Sequence, residues 1–544
     1  MRIQIGPHTL ERARERGASA AQIEDVLKTG IPVPAGGRGS LLTTRRYPGR
    51  NRRATSGDLI PMNLRSLFFT LLTGVGLMAQ PIQVHPVNSH YYLFRGKPTV
   101  LITSAEHYGA VVNKDFDYVA YLDALRSYGL NYTRIYPGFL IEPVGKFMKG
   151  NTLGPRPASL VLPWARGKSP GYMLGGNKFD LDRWDPAYFS RLKDFIAKAG
   201  ERGIVVEICF FNAQYSDTWP ISPHYWVNNI QGIGRGDFED AQTLKEPALV
   251  TREADYVRKI TQEVNSFDHV ILEICDEPLL FGTPAESAGK WVSHMIEVIK
   301  KTESSLPQKH LIAQQLEEPL DGPMDFSNHP DVPVIVVQYV WKAGTQVGGM
   351  RALDLEYGHN KPIDFNETNY YPIWYKGDKV AASRVEGWEF IVGGGSSFNH
   401  LNGLFTVQNP AGKTPQNAQI LGALRSLKDF IYSFDFIRMS PDRKLVASRL
   451  PENVYCRAIS EPGKQYALYL HHSAGGKGSA YEVVPGTYVE KLELNLPAGS
   501  YRAEWIDPAT GSIASSETFI HAGGTRPFAT PVHSVDIALR IKAR

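Results

Sequence analysis

Two acidic residues stand where short, largely apolar stretches stop. His269–Pro278 reads HVILEICDEP, in which the run from Val270 to Cys275 ends in Asp276, Glu277 and Pro278. A run of that length suits a strand buried on both faces of a parallel sheet. Pro278 has no N–H to donate and a fixed φ, so the strand stops there. Lys361–Thr368, KPIDFNET, is a second short strand and ends in a second carboxylate, Glu367. Two carboxyl groups brought within about 5 Å can split one displacement at a glycosidic carbon into two steps. One attacks as a nucleophile; the other protonates the leaving oxygen and then activates water.

The elements that must position this pair follow from its spacing. Glu277 and Glu367 lie 90 residues apart. A (β/α)8 barrel of about 250 residues spends roughly 31 on each unit. Three units separate the glutamates, which predicts the fourth and seventh strands, facing each other across the mouth. The rest of the chain supplies the alternation. A hairpin, HYYLFRG and PTVLITS, turns at Arg95-Gly96-Lys97, and its second arm becomes strand one, ending at Glu106 and His107. DYVAYLDALRSYG has apolar spacing of three and four and stops at a glycine, as helices do. LNYTRIYPG carries Arg134 near the end of strand two, and GIVVEICFFN is strand three. LIAQQL, PVIVVQYVW, PIDFNET and EFIVGGGSSFNH carry the remaining strand signals, with weak helix signals between strands five and seven. The polar insertion 147–182, rich in Gly and Pro, reads as a long loop over the mouth. From Met439 the pattern changes to short alternating runs separated by Pro-Gly and Ala-Gly turns, which predicts a small antiparallel sandwich. The fold class is therefore α/β: a (β/α)8 TIM barrel with its N-terminal hairpin over 80–443, followed by a β-sandwich over 444–544.

The order Arg134, then ICDEP with Glu277, then FNET with Glu367 resembles the cellulase-type superfamily of retaining glycoside hydrolases, over roughly Ile82 to Ser440. The resemblance implies Glu277 as general acid/base and Glu367 as nucleophile, with Arg134 keeping Glu367 charged. It places Asp276 where that superfamily usually has an asparagine that bonds the sugar 2-hydroxyl; an ionised Asp accepts but does not donate. Relatives of similar layout carry a C-terminal sandwich labelled collagen-binding-like. The resemblance further suggests sugar-binding groups at Glu106 and His107, and at Tyr339 near the nucleophile. Asn399 and His400 can reach substrate from the edge after strand eight. Trp219, Trp226, Trp341, Tyr370, Tyr371 and Trp374 sit in expected mouth loops, where two or three would stack on sugar rings. Structural roles compete for each: a loop hydrogen bond for Glu106 and His107, core packing for Tyr339 and the tryptophans.

Strand alternation sorts the neighbours of the acid pair. If Glu277 faces the interior, so do Cys275 and Glu273, and Glu273 then needs a partner. Cys209 and Cys275 fall on adjacent strands and read as small buried hydrophobes rather than a redox pair. Three cysteines give no disulfide framework, and no spacing suggests zinc or another metal site. No cofactor is implied; the glycine run after strand eight lacks the lysine of a phosphate loop.

The net charge of +4 belongs to the N-terminal stretch. Residues 1–79 hold 12 Lys/Arg against 5 Asp/Glu, leaving 47 against 50 for the rest. Nucleic-acid binding by the body is thereby unsupported. Residues 62–79, MNLRSLFFTLLTGVGLMA, read as a signal peptide: Arg65, an apolar core from Leu67 to Met78, and cleavage near Ala79. That apolar run is shorter than the ~20 residues of a membrane span, so stable membrane association is not expected. Residues 1–61 then read as a non-native leader; HTLERARERGASAAQIEDVLKTG resembles the start of a small toxin-like domain family. The leading expectation is a secreted retaining hydrolase acting on a poly- or oligosaccharide. A non-catalytic carbohydrate- or matrix-binding protein on the same barrel is the alternative. A metal-dependent barrel hydrolase is disfavoured by the lack of paired histidines at strand ends. Nothing in the sequence indicates an oligomeric state.

Overall fold

The computed structural model describes residues 80–317, 322–338, 348–368, 377–474 and 482–544. The described residues belong to a single unit, Met78–Arg544. The signal-peptide and leader expectations for 1–79 fall outside the described residues, as do Tyr339, Trp341, Tyr370, Tyr371 and Trp374.

Eight strands form one sheet: β1 Leu101–Ala105, β2 Tyr132–Ile135, β3 Val205–Asn212, β4 Val270–Asp276, β5 Leu311–Gln315, β6 Val334–Gln338, β7 Ile363–Glu367 and β8 Ser397–Leu401. Their order is β1-β8-β7-β6-β5-β4-β3-β2, and every pairing is parallel. β1 and β2 have no ladder between them. The Asn131 side chain spans that seam, accepting from Ile102 N at 3.0 Å and donating to Val100 O at 3.0 Å. Helices follow the strands: α1 Tyr118–Ser127, α2 Pro186–Glu201, α3 Pro247–Val264, α4 Ala285–Ser304, α5 Gly348–Glu356, α6 Lys379–Val392 and α7 Pro415–Ile431. α2 and α7 start with Pro after a capping Asp185 or Thr414, whose side chain satisfies an otherwise orphan N–H. Among the described residues no helix separates β5 from β6, where the sequence signal was weak.

The insertion 147–182 is not structureless. Trp164–Pro170 and Asn177–Trp184 pair as an antiparallel hairpin. Phe179 and Leu181 are buried on alternate positions while Gly175 and Gly176 take positive φ between the arms. The glycine content belongs to a turn, and the alternation was short enough to pass for loop.

The bottom of the barrel is stoppered by the N-terminal hairpin. Tyr92–Phe94 pairs with Lys97–Thr99 across Arg95 and Gly96, both at positive φ, as a two-residue primed turn requires. Tyr92 and Ile82 cluster with Leu101, Tyr132, Val205, Ile271 and Val334. Arg95 forks onto Asp268 at 2.7 and 2.8 Å, clipping the hairpin to the start of β4. Above this apolar plug lies an acidic layer. The single O–H of Tyr132 meets both Glu207 and Asp364, the latter at 2.8 Å. One hydroxyl proton cannot serve two carboxylates, so this fully buried pair holds a proton of its own.

The C-terminal region forms a two-layer sandwich. β9 Val454–Glu461, β10 Gln465–Ala474, β12 Gly499–Ile506, β13 Ile513–His521 and β15 Asp536–Ala543 share one antiparallel sheet, in the order β9-β10-β15-β12-β13. Ser440–Pro441 pairs with the β9 edge. β11 Lys491–Leu496 and β14 Gly524–Ala529 face them, with Leu492, Leu494 and Leu496 alternating inward. The sandwich is held on the barrel by buried ion pairs. Arg384 of α6 forks onto Asp536 at 2.8 Å twice, and Tyr469 donates to the same carboxylate. Arg457 reaches Asp354 at 2.6 Å and Glu389 at 3.3 Å, and Trp388 stacks on Tyr469. No described helix is long and apolar enough to cross a membrane.

Two outcomes follow for stability. Arg384→Ala strands a buried carboxylate, so unfolding in urea should show a loss of about 3–5 kcal/mol. The double variant with Asp536→Ala should lose less than the single; a single-variant loss no larger than at a surface arginine refutes the seam's role. Asp364 is pushed up to about 8 by burial and by the charge of Glu273. Its proton is held more tightly folded than unfolded, so stability falls as pH rises from the unfolded aspartate value of about 3.9 towards that figure. Asp364→Asn should flatten the decline in melting temperature across about pH 5 to 8; an unchanged slope refutes the assignment.

Candidate active site

Arg134 sits inside the barrel with no exposure and touches three carboxylates. Its Nε and Nη2 donate to the two oxygens of Glu273, each at 2.7 Å. Nη2 also reaches Asp276 Oδ1 at 2.9 Å, and Nη1 reaches Glu367 Oε1 at 3.1 Å. Glu273 thus has the partner that burial demanded. In a regular strand residues three apart face opposite sides, yet Glu273 and Asp276 both face Arg134. The end of β4 therefore departs from simple alternation. β7 departs in the same way: Asp364 lies in the acidic layer and Glu367, three residues on, also faces inward. The register of its partner β6 shifts between Val337 and Gln338, which pairs with Glu367. Such an irregularity re-aims a side chain at a strand end. Cys209 pairs with Glu273 and Phe211 with Cys275, so the two free, buried cysteines are offset by two positions rather than opposed.

Glu277 follows β4 with φ at +49°, a left-handed conformation unusual for a residue with a side chain. Its N–H donates to Gln315 Oε1 at 2.8 Å, and the amide nitrogen of Gln315 donates to Glu317 at 3.1 Å. The neighbouring strand therefore holds the turned backbone. Glu277 and Glu367 are 5% and 6% exposed. Both line a cavity of about 490 Å³ at the C-terminal ends of the strands, together with Asp276, Tyr108, Tyr136 and Asn212. Its other wall is apolar and aromatic, with Phe147, Tyr215, Phe238 and Phe281.

Asp276 is the most heavily bonded acid in the site. Oδ1 accepts from Arg134 and Gln338; Oδ2 accepts from Tyr136 and, at 2.6 Å, from Asn212. Tyr136 also lies 3.4 Å from Glu367 Oε1. Burial pushes the Glu367 carboxyl well up, and the charges of Asp276 and Glu277 add to this against the pull of Arg134. The sequence leads one to expect Arg134 to keep Glu367 ionised. The arginine instead spends most of its donors on Glu273 and Asp276, so its hold on Glu367 is partial. The charge of Glu277 thus works against ionisation of Glu367.

The other candidate residues divide. His107 lines the cavity, with Nε2 3.4 Å from Glu142. Glu106 does not: its carboxylate accepts from Gly109 N, Ala110 N and Thr152 Oγ1, and burial pushes it up to about 7. Asn399 is fully buried beneath the mouth, accepting from Ala105 N and donating to Tyr108 OH at 3.2 Å. His400 pairs with Ser104 Oγ at 2.9 Å, and burial lowers it to about 4. Trp219 is buried, with Nε1 bonded to Gly236 O, and Trp226 lies at the surface under Arg235. Neither tryptophan lines the cavity. Tyr136, Asn212 and Gln338 join the site although the sequence reading passed over them. Asn212 and Gln338 are polar residues closing apolar runs, FFN and VIVVQ, the same signal that singled out Glu277. Among the described residues no cluster of His, Cys, Asp and Glu is arranged to hold a metal ion.

No family model and no curated protein matches the sequence. Solved structures do match in shape. A glycoside hydrolase superposes with a TM-score of 0.57 at 11% identity, covering 86% of this chain and 97% of that one. A glycoside hydrolase family 5 protein from Bacteroides vulgatus superposes with a TM-score of 0.56 at 12% identity, covering 85% and 93%. The likeness spans nearly the whole of each neighbour, and at these identities it is a likeness of fold: a (β/α)8 barrel carrying an antiparallel β-sandwich, the architecture of those glycoside hydrolases.

Proposed function

We propose that the protein is a retaining O-glycoside hydrolase, exported after cleavage near Ala79, that acts on a poly- or oligosaccharide. The observation carrying this reading is the pair Glu277 and Glu367. They stand at the ends of β4 and β7 and share one cavity, and the charge of Glu277 helps to raise the Glu367 carboxyl. Two carboxyl groups at one site, one protonated and one ionised, are the reagents of a double displacement.

In the first step Glu367 attacks the anomeric carbon while Glu277 gives its proton to the departing oxygen. The bond to the leaving group breaks as the glycosyl–Glu367 ester forms. Esterification removes the negative charge of Glu367, so the second proton-transfer partner, Glu277, can now ionise. It takes a proton from water, the hydroxide attacks the same carbon, and Glu367 is released. Arg134 and Tyr136 both contact Glu367 Oε1, which steadies the charge on that oxygen when it leaves. The first step requires Glu277 protonated and Glu367 ionised when the sugar is bound.

Wild type incubated with a broad panel of glycosides should release sugar whose anomeric configuration is retained when first formed, read by NMR. Inversion refutes the double displacement. Glu367→Ala should reduce turnover to background. Glu277→Ala should lower turnover roughly 10²–10⁴-fold on substrates with poor leaving groups. The same variant should lose far less on a dinitrophenyl glycoside, and azide should speed it. Binding of glycans by an inert wild type would support a non-catalytic carbohydrate-binding protein instead.

A further inference from the structure

We infer that Asn212, at the end of β3, reads the hydroxyl on the carbon next to the reacting carbon of the sugar, and that Asp276 serves to aim it. The inference rests on the glycosidase reading. Asp276 itself has no acceptor capacity left for a sugar. A carboxylate offers about four lone-pair positions, and Arg134, Gln338, Tyr136 and Asn212 fill four; the residue is 1% exposed.

Asn212 is the cross-strand partner of Asp276 in the β3–β4 register. Its Nδ2 donates to Asp276 Oδ2 at 2.6 Å and lies 3.4 Å from Tyr136 OH. An ionised carboxylate only accepts, so the amide must turn its nitrogen towards Asp276, and this settles which end is which. The other end, Oδ1, has no hydrogen-bond partner among the described residues, although the residue is 2% exposed and lines the cavity. A buried amide oxygen without a partner is costly. A donor supplied by the substrate removes that cost.

The position fits a hydroxyl beside the reaction centre. One phenol oxygen, that of Tyr136, lies 3.4 Å from Glu367 Oε1 and 3.4 Å from Asn212 Nδ2. The amide nitrogen is therefore no more than 6.8 Å from Glu367 Oε1, within reach of the carbon next to the one that Glu367 attacks. Hydrogen bonds to that hydroxyl strengthen as the oxocarbenium-like transition state develops. The bond should therefore appear in kcat as well as in KM.

The test uses an aryl glycoside that the full-length wild type turns over, beside its 2-deoxy counterpart with the same leaving group. Asn212→Ala should lower kcat/KM on the parent roughly 10- to 100-fold, and on the 2-deoxy substrate by less than about 3-fold. Asn212→Ser, which keeps an acceptor, should recover part of the loss and guards against a variant that fails to fold. Equal losses on the two substrates would overturn the inference while leaving the glycosidase reading intact. A wild type inert on every glycoside would overturn both.

Discussion

A guanidinium sealed inside a ring of strands has to be neutralised where it stands, because removing it from water without a partner costs several kcal/mol. Arg134 meets that constraint with Glu273, Asp276 and Glu367. The acids then outnumber the base, and the surplus sets the character of the whole core. Some of it is absorbed by neutral donors, Tyr136, Asn212 and Gln338, which crowd onto Asp276. Some is absorbed by a proton on the Glu207–Asp364 pair, and burial with the neighbouring acids pushes the Glu367 carboxyl up as well. Glu367 thus belongs to a set of buried acids that includes Glu207, Glu273, Asp276 and Asp364.

Holding these acids inside calls for backbone that breaks its own rules at two strand ends. β4 and β7 each bring residues three apart onto the interior face, and Glu277 adopts a left-handed turn propped by the Gln315 side chain. Such conformations persist only where surrounding contacts over-determine them. The buried strands supply those contacts from outside through the helices, and the hairpin plug supplies them from beneath. The sandwich adds a further brace through Asp536, Arg457 and Tyr469 against α6.

Much of this was legible before any coordinates. Apolar runs that end in Glu277 and Glu367, spaced by three barrel units, give the strands and the positions of the two acids. Legibility stops where a side chain's capacity is already used. Glu106 and His400 occupy strand ends as Glu277 does, yet one is consumed by loop N–H groups and the other by Ser104. The partner of His400 lies 296 residues away, and that of Glu106 includes Thr152, 46 residues on; its nearer partners, the N–H groups of Gly109 and Ala110, are main-chain donors that no residue type announces. Asn212 and Gln338 carry the same strand-end signal but were eclipsed, since a lone amide suggests no chemistry until Asp276 is seen between them. The hairpin inside 147–182 was masked by its glycines, which mark its turn rather than a lack of structure.

The closure between β1 and β2 has its own meaning. Every other neighbouring pair of strands is stitched by main-chain ladders, whereas this one is joined by isolated bonds: the Asn131 side chain, Asn131 N to Ile102 O at 3.3 Å, and Tyr136 N to Tyr108 O at 2.9 Å. The ring is mechanically a split ring with a clasp, so elastic breathing should concentrate at that slit. β2 carries Arg134 and leads into Tyr136, so any widening there moves the cation relative to the acids it counterbalances. The compliance of that seam thereby becomes a control on how firmly the opposite wall of the barrel grips what enters it.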